Sequence, residues 1–186
     1  MHAMPVALLT LAGPEGPLTV ATTERGVVAA ERTEDHDAIR ALLTRRLGPL
    51  GGANEGARAR LARARPVFEG LLAGASVDAS AVPIDLADRP AFDRSVLQAV
   101  RAVRWGETAS YGEIARRVGA PRAARAVGGA VARCPIAILI PCHRIIAADG
   151  TLGGFGGDGP FDRTDALERK RLLLLREGVT VGLRAN

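Results

Sequence analysis

Apolar and polar positions change rhythm about halfway along the chain. Residues 6–11, 18–22 and 27–30 are short apolar runs of β type, separated by Gly13-Pro14-Glu15-Gly16 and Glu24-Arg25-Gly26, which have turn composition. This predicts a small antiparallel sheet. A helical period over residues 38–47 stops at Gly48-Pro49, and a glycine-rich loop over 51–56 leads into helical sequence through Leu72. Residues 82–86 read as a last strand before the pattern shifts, and from Ala91 onward helical periods dominate.

Residues 93–103 place Val96, Leu97, Val100 and Val103 on one helical face. Ser110-Tyr111-Gly112-Glu113 has the S-x-x-E form of a capping box; Ile114, Ala115 and Val118 follow it, and Gly119 can stop the helix. Pro121 suits the first turn of a second helix. Two short helices joined at residues 119–121 have the spacing of a helix-turn-helix. The second, over residues 122–131, carries nothing larger than Val except Arg122 and Arg125. Gly128 and Gly129 each cost about 1 kcal/mol relative to Ala inside a helix. A face of Ala and Gly admits close approach, by a neighbouring helix or by a nucleic-acid groove.

Charge shifts that balance toward nucleic acid. The net charge is +5, but residues 1–87 hold nine Arg against ten acids, while residues 88–186 hold sixteen Lys or Arg against ten. Between Arg94 and Arg144 nine arginines face only Glu107 and Glu113, which suggests a polyanion-facing surface. Of the 25 basic residues 24 are Arg, a bias that explains Arg over Lys but not the local lack of acids. A chain of 186 residues, 47% apolar, can bury a full core as one domain or two small ones. Two cysteines exclude a disulfide framework. The first residues lack the features of a signal peptide, and no apolar run is long enough to span a bilayer, so the expectation is a cytoplasmic protein with free thiols.

Thiol and imidazole meet at residues 140–144, Ile-Pro-Cys-His-Arg. A cysteine beside a histidine can become a thiolate–imidazolium pair, and the thiolate is the form that attacks carbon. The apolar run 136–140 reads as a buried strand delivering Cys142. On an extended strand Cys142 and His143 point to opposite faces, so they need a backbone turn or a bridging water to cooperate. A base also needs an orienting carboxylate. Glu177 is the candidate: it follows the Leu-rich helix 170–176, read as buried on most sides, and precedes Gly178, where a carboxylate opposes the helix dipole. A solvated helix end or an ion pair with Arg176 are the alternatives.

These residues resemble the methylated-DNA–protein-cysteine methyltransferases, which repair 6-O-alkylguanine in DNA. The resemblance runs from Phe92 to Gly178 through Gly106-Glu107-Thr108-Ala109-Ser110-Tyr111-Gly112, Pro121 with Ala124-Arg125-Ala126-Val127-Gly128, the Pro-Cys-His-Arg core, Leu152-Gly153-Gly154-Phe155 and the closing helix with Glu177-Gly178. It implies an α+β fold: an N-terminal ribonuclease-H-like domain (1–87), then a mainly helical domain (88–186) with a helix-turn-helix. It implies a monomer that binds double-stranded DNA, uses no cofactor, and transfers the alkyl group of 6-O-alkylguanine, and of 4-O-alkylthymine, irreversibly to Cys142. His143, held by Glu177, would act through a bound water, and Tyr111 would help rotate the target phosphate. Arg125 would fill the space of the flipped base, with Arg122, Ala123, Ala126 and Gly128 along the minor groove. Ile145, Gly153, Phe155, Gly156 and Cys134 would line the base pocket, with carbonyls of Cys142 and Ile145 on the guanine amine.

Three features depart from the family pattern. Cys134 stands where an Asn is usual, residues 158–168 are additional, and the N-terminal cysteines of zinc-binding members are absent. If Cys134 lies near Cys142, oxidation could join them. Two other readings compete with alkyl transfer: a non-catalytic sensor of the alkyltransferase-like type, which would lack the nucleophile, and a Cys–His hydrolase unrelated to DNA, which would leave the Arg/Ala/Gly helix unexplained.

Overall fold

The computed structural model describes residues 3–154 and 163–182. The chain divides into two units, Met1–Arg89 with Pro135–Leu139, and Pro90–Cys134 with Ile140–Asn186. The additional residues 158–162, like Phe155 and Gly156, lie outside the described residues.

The first unit is built on an antiparallel sheet of β2 (Ala7–Leu11), β3 (Leu18–Thr22) and β4 (Val27–Glu31), with β3 in the middle. Every residue of β3 is buried, because it has a strand on each side and helices cover the sheet. Helix α1 (His36–Leu47), capped by the Asp35 carboxylate, packs Ile39 and Leu43 against Val6, Ala21, Val28 and Ala29. Helix α2 (Glu55–Leu72) buries Ala57, Ala64, Phe68 and Leu72, and Thr22 Oγ1 donates to the Ala57 carbonyl at 2.8 Å. Burying a side chain the size of Phe68 contributes roughly 1.5–3 kcal/mol. A short parallel pair, β1 (Met4–Pro5) with β5 (Leu50–Gly51), completes the unit.

Two predicted strands do not form. Over residues 82–86 only Ile84 bridges to Val27, through Val27 N–H to the Pro83 carbonyl (2.9 Å) and Asp85 N–H to the Val27 carbonyl (2.7 Å). The approach there is so close that a Cβ on Gly26 would lie 2.4 Å from the Pro83 oxygen. Asp85 is then used otherwise: its buried carboxylate accepts from Thr23 Oγ1 (2.8 Å) and Arg25 Nε (2.9 Å). In the run 136–140, Ile136 alone bridges to Ala30, by Ala30 N–H to the Pro135 carbonyl (2.9 Å) and Ala137 N–H to the Ala30 carbonyl (3.1 Å). The chain then bends at Ile138, whose φ of 68° is costly for a β-branched residue, and Leu139 N–H reaches back to the Ala137 carbonyl at 2.8 Å. An apolar run marks burial, but a strand also needs a partner along its length.

The second unit is mainly helical. In α3 (Ala91–Arg101) Val96, Leu97 and Val100 are buried as their spacing predicts, and Val103 is buried just beyond its end. Buried Asp93 on the same helix receives Nε and Nη2 of Arg133, both at 3.1 Å. Helix α4 (Tyr111–Arg117) starts with the predicted capping box: Glu113 N–H donates to Ser110 Oγ at 3.1 Å, and Ser110 N–H to the Glu113 carboxylate at 2.6 Å. It ends at Gly119, φ 73°, with Ala120 N–H bonded to the Ala115 carbonyl at 2.9 Å.

Pro121 and Arg122 do not begin the next helix. They lie in a turn closed by Ala123 N–H to the Ala120 carbonyl (2.9 Å), and α5 runs Ala124–Ala132. Val127, Ala130 and Val131 bury one side of α5, against α3 and α4. The last helix, α6 (Arg163–Arg176), begins within the additional segment and is not buried on most sides: Leu175 is 50% exposed, and the inward face consists of Ala166, Lys170 and Leu174, continued by Glu177. Among the described residues no helix is long and apolar enough to cross a membrane.

Candidate active site

Cys142 is presented by two successive tight turns. Around Pro141, φ −78° and ψ 64°, Cys142 N–H bonds back to the Ile140 carbonyl at 2.8 Å, an inverse γ-turn suited to the fixed φ of proline. Residues Cys142–Arg144 then form one 3-10 turn, closed by Arg144 N–H to the Pro141 carbonyl at 2.9 Å. The strand geometry that would oppose Cys142 and His143 is therefore absent. Beyond the turn, β7 (Ile145–Ile146) pairs in parallel with β6 (Ala109–Ser110), so one small ladder anchors both the thiol segment and the start of α4.

His143 and Glu177 meet in the interior. Nε2 of His143, 4% exposed, lies 2.7 Å from Glu177 Oε1. The same carboxylate accepts from Arg144 Nε (2.8 Å) and Nη2 (3.0 Å) and from Gly106 N–H (3.3 Å). Arg144 Nη1 donates to the Val103 carbonyl at 2.7 Å, and the guanidinium lies over Trp105, 5.7 Å from the ring centre. Glu177 is thus neither a solvated helix end nor partnered through Arg176 alone.

These contacts assign the protons. Burial alone would raise the Glu177 pKa, but the hydrogen bonds and charges of His143 and Arg144 outweigh it and hold the carboxyl below its ordinary value. Burial pushes His143 below its ordinary 6.5, against the pull of Glu177. An ionised Glu177 can only accept, so a neutral His143 donates from Nε2 and keeps a lone pair on Nδ1. Cys142 lies well above its ordinary 9.0, through its hydrogen bond with Cys134 first and burial second, with Lys170 pulling the other way. At neutral pH the site therefore holds a thiol, a neutral imidazole able to take one proton, and a carboxylate that would stabilise the resulting imidazolium.

Lys170 and Arg144 are the residues that sequence reasoning left without a role. Lys170 is fully buried, and its ammonium donates to the carbonyls of Ile145, Leu152 (2.6 Å) and Gly154 (3.0 Å). Three donors meet three acceptors. Burial lowers its pKa to about 8, the charge of Cys142 opposing the shift. A signal existed: Lys170 is the single lysine among 25 basic residues. A guanidinium is a planar fork and cannot copy a compact tripod of donors.

Tyr111 faces the same place. Its hydroxyl donates to the Gly154 carbonyl at 3.1 Å, and the Lys170 ammonium lies 5.9 Å from its ring centre. Burial first, and the charge of Cys142 second, raise its pKa. Gly153 has φ 68°, and a Cβ there would lie 3.2 Å from the Tyr111 ring, so this position needs glycine. A Cβ at Gly128 would meet the same ring at an ordinary 3.9 Å, so packing against Tyr111 does not demand glycine there. Arg122, Arg125 and Ala126 are exposed, and Ala123 is half-buried. The carbonyls expected on the base amine already have protein partners: that of Ile145 accepts from Lys170, and that of Cys142 from Ile145 N–H.

A cysteine thiol adjacent in sequence to a buried His–Glu pair characterises this site. The family described as 6-O-methylguanine DNA methyltransferase, DNA binding domain, matches residues 91–179. The methylated-DNA–protein-cysteine methyltransferase of Haemophilus influenzae is 49% identical over 89 residues, 48% of this chain and 45% of that protein. That of Mycobacterium leprae is 56% identical over 77 residues, 41% and 46% of the two chains. The matched stretch spans about half the length of these curated relatives. Over the whole fold, the crystal structure of Mycobacterium tuberculosis O6-methylguanine methyltransferase is similar with a TM-score of 0.67 and 34% identity, covering 92% of both chains. The chain belongs to the methylated-DNA–protein-cysteine methyltransferase family.

Proposed function

We propose that the protein repairs DNA by moving the alkyl group of 6-O-alkylguanine onto Cys142 in a single turnover, and that 4-O-alkylthymine is a second substrate. The observation that carries this reading is the His143–Glu177 bond of 2.7 Å beside a protonated thiol. His143 Nδ1 takes the thiol proton through a water, Glu177 stabilises the imidazolium, and the Cys142 thiolate attacks the alkyl carbon. The carbon–oxygen bond breaks, guanine leaves and regains a proton, and a thioether remains. A thioether has no hydrolytic exit, so each chain reacts once. A non-catalytic sensor would not need the nucleophile that Cys142 supplies.

The reacting carbon lies inside a stacked duplex, so the base must be flipped out. We read α4 and α5 as a helix-turn-helix whose second helix enters the minor groove, about 6 Å wide, where Ala123, Ala126 and Gly128 keep it slim. Exposed Arg125 fills the space the base leaves, Arg122 holds phosphate, and Tyr111 turns the target nucleotide while Gly153, Ile145 and Cys134 flank it. A Mycobacterium tuberculosis relative, OGT, 34% identical over 93% of this chain, has a crystal structure in complex with DNA, which supports DNA as the partner. Residues 88–186 carry these roles, and residues 1–87 form a ribonuclease-H-like companion; the protein works as a cytoplasmic monomer without a cofactor.

Intact mass before and after exposure to an oligonucleotide with one 6-O-methylguanine tests the reaction. A gain of one methyl per chain, mapped to Cys142, is the expected result. Methyl uptake by Cys142→Ala, or multiple turnovers, would overturn it. Arg125→Ala should reduce uptake from duplex far more than from free 6-O-methylguanine.

A further inference from the structure

Arg133 closes α5 as its C-terminal capping residue, and no part of the alkyl-transfer chemistry falls to it. Its guanidinium is nevertheless held. Nε and Nη2 reach the two oxygens of Asp93 on α3, both at 3.1 Å. The pair is lopsided, with the Arg133 side chain 58% exposed and that of Asp93 only 5%. The carboxylate is covered and the guanidinium is outermost. Nη1, the remaining nitrogen, has no hydrogen-bond partner among the described residues and lies over Gly129, where a Cβ would stand 3.1 Å away. With its other two nitrogens held, the fork has little room to give, so glycine at 129 is the seat that admits it. Arg125 and Gly129 stand four residues apart, so this seat lies on the side of α5 that presents exposed Arg125.

We propose that Arg133 is a DNA backbone-phosphate contact at the C-terminal end of α5, with Asp93 as the residue that positions it. This rests on the reading that α5 enters the minor groove. The last carbonyls of a helix give that end a partial negative charge, which repels phosphate unless a cation covers it. Arg133 is the cation at that end, and α5 itself carries no acid. A guanidinium already fixed at Nε and Nη2 loses less freedom when Nη1 takes an anion than a free side chain would. Helix α5 has nine residues and is about 14 Å long, so Arg122 before it and Arg133 after it grip different phosphates. Contacts of this kind set the register of the helix on the duplex without reading sequence.

The experiment measures binding of the full chain to an undamaged duplex oligonucleotide over a range of salt. Arg133→Gln should make the slope of log affinity against log salt shallower by about 0.9, one phosphate contact. A fourfold rise in salt should then weaken it about 3.5-fold less than the unaltered chain. Asp93→Asn breaks the same ion pair but keeps the cation, and its slope should be as steep as that of the unaltered chain or steeper. A tie between α3 and α5 with no phosphate contact predicts equal effects from both variants, and that result would overturn the proposal. The double variant Asp93→Asn/Arg133→Gln leaves no buried carboxylate unpaired. It should lose the same 0.9 of slope relative to Asp93→Asn, so it decides the matter even if Arg133→Gln alone does not fold. Unaltered protein that ignores the duplex would sink the DNA reading itself, whereas a double variant that binds with an unchanged slope would sink the Arg133 contact alone.

Discussion

Two carboxyls, the half-buried Glu31 in one unit and the buried Glu177 in the other, respond to burial in opposite ways. Glu31 at the end of β4 has the charges of Arg46 and Arg89 acting on it, yet burial wins and its pKa rises to about 7. Glu177 is deeper, and its pKa falls. The difference is hydrogen bonding. Arg46 gives Nε and Nη2 to Asp88, at 3.0 and 3.3 Å, so its charge acts on Glu31 through space while those two nitrogens serve another carboxylate. Glu177 receives donors from His143, Arg144 and Gly106 directly. A charge nearby offsets part of the desolvation cost of a buried carboxylate; donors aimed at its oxygens offset the rest.

The largest test of that contrast removes the charge of Glu177 and keeps its shape. Glu177→Gln should slow single-turnover methyl transfer by about 100-fold or more, the usual scale of lost acid–base assistance. It should also cost about 3 kcal/mol of stability in chemical denaturation, because Arg144 stays buried without its partner charge. Unchanged transfer would remove His143 and Glu177 from the reaction.

Lys170→Met comes next. It strips the ammonium from the carbonyls of Ile145, Leu152 and Gly154, the first two in buried bonds, and should cost roughly 2–3 kcal/mol, read in the same denaturation experiment. Lys170→Arg should not restore the loss, because a planar fork cannot meet three converging oxygens.

The pH dependence sharpens the contrast further, with opposite signs. The raised pKa of Glu31 means that its contribution is full below 4.5 and lost as pH rises through about 7. Glu177 contributes above its ordinary 4.5 and loses that contribution as pH falls through its lowered folded value. His143 reinforces the second trend: it stays neutral in the fold below 6.5, where the unfolded chain takes a proton, so stability falls with pH there. Glu31→Gln should therefore stabilise the protein at pH 8, by about 1 kcal/mol, and leave it unchanged at pH 4. The smallest effect belongs to Ser110→Ala, which removes the cap of α4 and should cost about 1 kcal/mol at any pH.

Local rules worked where a side chain acts on its own backbone. The capping box at Ser110 and Glu113, the stop at Gly119 and the apolar face of α3 follow from residues a few positions apart. The predicted strands at 82–86 and 136–140 failed because a strand is a property of two segments. The start of α5 was misplaced at Pro121, whose fixed φ suits a turn as well as a helix.

The site divides in the same way. Cys142 and His143 were legible by adjacency, and the resemblance paired His143 with Glu177. That Arg144 shares this carboxylate was not, because the 3-10 turn that sends Arg144 inward depends on Pro141 and on the bond from Arg144 Nη1 to Val103. Lys170 was overlooked for a related reason: carbonyls carry no signature in sequence, so its partners at Ile145, Leu152 and Gly154 are invisible until the chain is folded.

By itself the sequence determined the kind of chemistry, since a thiol, an imidazole, an arginine-rich helical segment and a capped helix are local facts with local causes. Tertiary structure decided the protonation. Whether His143 rests as a base, Glu177 as an anion and Cys142 as a thiol depends on which donors reach which oxygens and how much water burial removes. Electrostatic energies depend on distance and solvent, and both exist only once the chain has folded.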